Sequence, residues 1–155
     1  MKIDIHTHIM PDKMPNWVQK FGYGDFIHLE HRNCKACMMK GDKVFREVEN
    51  NCFDATVRLK EMDETGVIVQ VLSTIPVLFN YWANANDGYE TSRFFNDHIA
   101  ETVSGNQKRF IGIGTVPLQD IDLAIREMER CVQELKMPGL EIGSNINGVN
   151  LSEDK

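Results

Sequence analysis

The chain has 155 residues, with 17 lysines and arginines against 23 aspartates and glutamates, for a formal net charge of −6. That balance lends no support to a nucleic-acid footprint or a basic membrane patch, no apolar run approaches the roughly 20 residues of a spanning helix, and the N-terminus lacks a signal-peptide core. Four cysteines (Cys34, Cys37, Cys52 and Cys131) are too few and too uneven for a secreted disulfide scaffold, so one reduced, cytosolic globular domain is expected.

The chain opens on "MKIDIHTHIM", a short apolar strand with histidines at i and i+2. Alternate strand residues share a face, so His6 and His8 project together with Asp4, while Ile3, Ile5, Thr7 and Ile9 face the other way. Two imidazoles so placed can reach one divalent ion. In an arbitrary context such a pair is more often two hydrogen-bonded histidines at a strand end. Here it closes the first strand of a βα series, and (β/α) proteins build their sites at that end.

Residues 11–53 carry no helical period and read as a small β insertion. Within it "DFIHLEHR" and "ACMMKGDKVFREVE" suggest short antiparallel strands, with Gly41-Asp42 as a hairpin turn. Next comes "DATVRLKEMDETG", a helix with Asp54 as N-cap and Gly66 as its stop. "VIVQVLST" (67–74) is a β-branched run of the kind buried on both faces of a parallel sheet. A helix over "TSRFFNDHIAETV", a strand over "RFIGIGTVP" (109–117), a helix over "DIDLAIREMERCVQELK" and a strand over "GLEIGSNI" (139–146) follow. The last helix spaces Ile121, Ile125, Met128, Val132 and Leu135 as one apolar stripe. Alternation of this kind means right-handed βαβ units and a parallel sheet.

Other residues of site type are weighed along the way. His28, His31, Cys34 and Cys37 recur at every third position, which on a strand throws successive side chains to opposite faces and does not match small zinc sites. Phe79, Tyr81 and Trp82 follow the second parallel strand, where aromatics pack or line a pocket mouth; Phe79 is named as a further lining candidate. His98 falls within a helix, and Cys52 and Cys131 read as small buried hydrophobes.

"KIDIHTHIMP" resembles the opening motif of the metal-dependent amidohydrolase superfamily. "KVFREVENNCFDATVRLKEMDETGV", "VLSTIPVLFNYWA", "FFNDHIAETV", "RFIGIGTVPLQ" and "AIREMERCVQEL" narrow the resemblance to the 2-amino-3-carboxymuconate-6-semialdehyde decarboxylase family. What it implies is an α/β fold: the N-terminal half, about four βα units, of a distorted (β/α)8 barrel, with the 11–53 insertion inside a partial domain spanning 1–155. A whole barrel needs about 250 residues.

The resemblance also implies one zinc per complete subunit, a homodimer, and non-oxidative loss of a carboxylate from a dicarboxylate semialdehyde of the kynurenine pathway. His6 and His8 match the family's first two metal ligands. Arg46, in "KVFRE", matches the arginine that grips a substrate carboxylate, and Lys40 the position of a basic pocket residue. The family's third metal histidine, its acid/base histidine and its aspartate ligand are expected beyond Lys155, so no catalytic residue is assigned within the chain. Zinc binding by this chain alone is accordingly expected to be weak or absent, because catalytic zinc normally has three protein ligands. A related hydrolase or decarboxylase acting on another acid, and a non-catalytic half-barrel, are the alternatives. Unpaired strand edges in a half-barrel also predict self-association.

Overall fold

Parallel pairing organises the chain around its first strand, β1 (Ile3–Ile9), in a computed structural model that describes residues 1–32 and 35–153. β1 lies beside β5 (Val69–Thr74), which pairs in turn with β6 (Phe110–Gly112), giving a three-stranded parallel sheet of order β1-β5-β6. The helices that follow each strand are α2 (Ala55–Thr65), α3 (Ala85–Ser104) and α4 (Ile121–Gln133). This is the expected part of a (β/α) barrel. Between β1 and α2 sit a short helix α1 (Trp17–Phe21) and an antiparallel sheet of β2 (Ile27–Arg32), β3 (Lys35–Lys40) and β4 (Lys43–Val48). Among the described residues no helix is long and apolar enough to cross a membrane.

Local chemistry explains most element ends. The Asp54 carboxylate accepts the amides of Thr56 and Val57, and Gly66 closes α2 at φ 71°, the left-handed turn that glycine adopts without strain. Helix α1 was not expected, since five residues are too few to display a period; Asn16 caps it by accepting from the Gln19 amide. Helix α3 begins at Ala85 rather than Thr91, through polar residues that carry no apolar period.

The later strands are shorter than their sequence signals. β6 stops at Gly112 because the Asn96 side chain takes over as a ladder partner, accepting the Thr115 amide at 2.8 Å and donating to its carbonyl at 2.8 Å. The 139–146 segment forms only one parallel bridge, Leu140 with Gly114, through Gly114 N to Gly139 O (3.0 Å) and Glu141 N to Gly114 O (2.8 Å). Beyond it the chain turns into a small hairpin, β7 (Asn145–Ile146) and β8 (Val149–Asn150), over an Asn147-Gly148 turn.

Two clusters hold the layers together. Ile9, Met62, Leu72, Ile99, Phe110, Cys131 and Met137 fill the space between sheet and helices, while Met10, Ile27, Met38, Leu78 and Phe95 seat the antiparallel sheet. Each of the Ile, Leu, Met and Phe side chains among them contributes roughly 1.5–3 kcal/mol on burial. The α4 stripe behaves differently: Ile121, Ile125, Met128 and Val132 face outward, and α4 instead buries Ala124, Glu127 and Cys131. The reason is polar. Glu127 bonds to Asn96 of α3 and to Arg130 beside it, which turns that side of the helix inward.

Candidate metal centre

β1 and β5 set the site. Their register slips between Asp4 and Thr7, so the strict alternation expected of β1 fails: Ile3 and Ile5 are exposed, whereas Thr7 and Ile9 are buried. Past the slip, Thr7 Oγ1 donates to Val71 O at 2.8 Å and the ladder resumes through Ile9. His6 and His8 still stand together, with ring centroids 4.8 Å apart and the rings nearly perpendicular.

A third donor comes from the far end of the chain. Glu141, just past the Leu140 bridge, brings its carboxylate to His6 and His8 so that one ligand atom from each lies within 4.8 Å of the others. Its Oε2 is buried without a hydrogen-bond partner and stands 3.7 Å from His8 Nδ1. An orphaned buried carboxylate oxygen facing two imidazoles is what a cation-binding centre requires. Sequence reasoning missed Glu141, because nothing in "GLEIGS" marks it apart from its place at a strand end.

The His8 ring is also oriented from behind. Ser73 donates its hydroxyl to Thr7 O at 3.2 Å, so its oxygen is left to accept from His8 Nδ1 at 3.0 Å. A His8 ring protonated at Nδ1 by this contact would offer Nε2 to a metal. Burial pushes His8 below its usual pKa, against a smaller opposing pull from Glu141, and the neutral form is the ligating one. Two imidazoles and one carboxylate suit zinc, and the carboxylate also suits manganese.

A cleft of 660 Å³ opens from Glu141. Lys40, Phe79, Tyr81 and Trp82 line it, so Lys40 and Phe79 come to one place. Arg46 does not join them. It is exposed on β4 opposite Met38, where an irregularity in the β3–β4 pairing makes Phe45 an extra residue. His28 pairs with Glu30 and His31 with Asp12, on separate carboxylates, while Cys34 of that period-three series lies outside the described residues.

The cleft wall is firmly held. Tyr81 accepts the Gly143 amide at 3.1 Å, and burial keeps its phenol protonated by raising its pKa. Trp82, 47% exposed, backs onto Phe26 with centroids 4.6 Å apart. Gly24, at φ 80°, makes room: a Cβ there would lie 2.6 Å from the indole. Gly24→Ala is therefore expected to cost about 1–3 kcal/mol and to displace Trp82. Urea unfolding and tryptophan emission measure both; unchanged values would contradict this packing.

A profile of the amidohydrolase family matches residues 3–155. The chain belongs to that family. It is 49% identical over 154 residues to the 2-amino-3-carboxymuconate-6-semialdehyde decarboxylase of Dictyostelium discoideum, covering 99% of this chain but 43% of that relative. Among solved amidohydrolase-type structures it resembles 5-carboxyvanillate decarboxylase from Sphingomonas paucimobilis, with a TM-score of 0.69, 27% identity, and coverage of 94% and 43% of the two chains. It also resembles dihydroxybenzoic acid decarboxylase from Polaromonas with bound manganese and an inhibitor, with a TM-score of 0.62, 26% identity, and coverage of 90% and 37%. The amidohydrolase chain thus spans about two fifths of the length of these relatives, all of them decarboxylases.

Proposed function

We propose that these residues form the metal-bearing part of a non-oxidative decarboxylase acting on 2-amino-3-carboxymuconate-6-semialdehyde, with zinc as the metal. The observation that carries the reading is the meeting of His6, His8 and Glu141 at the edge of a cleft whose wall is aromatic and whose rim is cationic. When bound, a divalent metal supplies Lewis acidity toward a substrate oxygen and lowers the pKa of a bound water.

The chain's own residues do the rest. Lys40, whose contact to Asp25 is long at 3.9 Å, offers its ammonium to a carboxylate entering the cleft. The indole face of Trp82 receives a planar conjugated system, and the protonated Tyr81 hydroxyl keeps a donor at the inner wall. Arg46 keeps the carboxylate contact that the family resemblance implies for it, and Lys40 adds a second cation at the cleft. A homodimer, a cytoplasmic location and a place in tryptophan breakdown complete the reading; Cys37, Cys52 and Cys131 are all free thiols, which agrees with a reduced compartment.

The test is metal-dependent release of carbon dioxide by the zinc-loaded protein in which these residues are joined to the rest of the barrel that the family resemblance implies, with the semialdehyde and 2,6-dihydroxybenzoate offered separately. Faster release from the semialdehyde is the expected result. Preference for dihydroxybenzoate would assign the site to the other acid, and release that persists after chelation would remove the metal from the chemistry.

A further inference from the structure

Arg58 lies on α2, outside the cleft, and is 7% exposed. Its guanidinium donates to His8 O at 2.6 Å, to Asn51 O at 2.6 Å and to the Gln70 side-chain oxygen at 3.2 Å. None of these acceptors is a carboxylate. The carboxylates of Glu61 and Asp4 act on it only through space, so the cost of burying the cation is offset chiefly by these hydrogen bonds, which hold their acceptors in place. What it holds is the residue that carries the second imidazole.

The strand needs such a hold. The pairing of β1 with β5 slips in register between Asp4 and Thr7, the stretch that carries His6. Past the ligand pair, Met10 N donates to Cys52 O at 2.9 Å, which ties the strand end to the same turn that Arg58 grips at Asn51. The planar fork of Arg58 thus joins three segments: the end of β1, the turn before α2, and β5 through Gln70.

We infer that Arg58 is the positioning residue of the histidine pair, fixing the His8 backbone from beneath so that the His6 and His8 rings converge. It touches neither ring and takes no part in chemistry. A lysine cannot reproduce it, because one ammonium cannot span two carbonyls and an amide oxygen in a fixed plane. The inference rests on the metal-centre reading for its consequence, while the ring geometry belongs to the chain itself.

The experiment compares Arg58→Lys and Arg58→Ala with the wild-type chain and with Arg130→Ala, a variant weakened between α3 and α4, away from β1. Two properties are read at a temperature where circular dichroism shows each protein folded: the NOE between the His6 and His8 ring protons in the metal-free chain, and zinc affinity by competition with a chelator. Arg58→Lys is expected to lose the ring-to-ring NOE and about tenfold or more in zinc affinity. Arg130→Ala is expected to keep both, and millimolar guanidinium is expected to restore the NOE in Arg58→Ala.

Retention of the NOE in Arg58→Lys would overturn the inference, as would equal loss in Arg130→Ala, which would reduce Arg58 to general stability. Should Arg58→Ala fail to fold, the lysine variant decides. Should the wild-type chain bind no zinc, the metal reading fails alone, and the NOE still decides the positioning.

Discussion

Replacing Arg130 by alanine is expected to lower the unfolding free energy by about 3–5 kcal/mol, because it strands a buried carboxylate. Glu127 is 0% exposed, and Arg130 grips both its oxygens, at 2.9 and 2.8 Å. The guanidinium also reaches Asp97 of α3 at 2.6 Å, and the two carboxylates, Glu127 first, hold its pKa above the usual arginine value. Without it, Glu127 keeps the Asn96 amide at 2.7 Å and a long contact from the Cys131 thiol, itself pushed up to about 12 by burial. Neither carries a counter-charge.

The loss is large against a typical domain stability of about 5–15 kcal/mol. Adding Glu127→Leu to the Arg130→Ala chain removes the stranded charge and is expected to recover part of the deficit. Urea unfolding of the single and double variants measures both terms. A single variant within about 1 kcal/mol of wild type would mean that the pair adds nothing beyond a surface ion pair.

Loss of the histidine pair is expected to have the second large effect, on metal binding rather than on the fold. His6 is exposed and His8 only partly buried, so alanine at both leaves small cavities, removes the imidazoles from Glu141, and leaves Ser73 with its remaining bond to Thr7 O. Removing an outer partner of a metal ligand typically costs 10–100-fold in affinity, so removing two ligands is expected to cost more than about 100-fold. Saturating zinc stabilises a binding-competent chain by about 2.7 kcal/mol at 100 times Kd. Zinc should therefore raise the Tm of the wild-type chain and leave that of His6→Ala/His8→Ala unmoved. An equal rise in both would place the bound zinc elsewhere.

The (β/α) alternation and the histidine pair were legible in the sequence because each rests on a local pattern: β-branched runs, Asp54 and Gly66 at the ends of α2, and two imidazoles two residues apart. What escaped was set by distant partners. Glu141 reaches the pair only through the Leu140 bridge, and Asn96 ends β6 from a helix that precedes it. The apolar spacing of α4 was correctly seen, but its facing was decided by Glu127, a residue that any hydropathy pattern assigns to the surface. The slip in β1 is invisible to strict alternation and leaves Ile5 76% exposed. Arg58 reads from sequence as one more helical cation; only its acceptors show what it holds.

The most direct test of the centre is zinc K-edge X-ray absorption on the wild-type chain loaded with one equivalent of zinc. Nitrogen and oxygen scatterers alone are expected, at about 2.0–2.2 Å, with two imidazole contributions. Sulfur scatterers at about 2.3 Å would contradict this, since they would place the zinc on cysteines instead of on His6, His8 and Glu141.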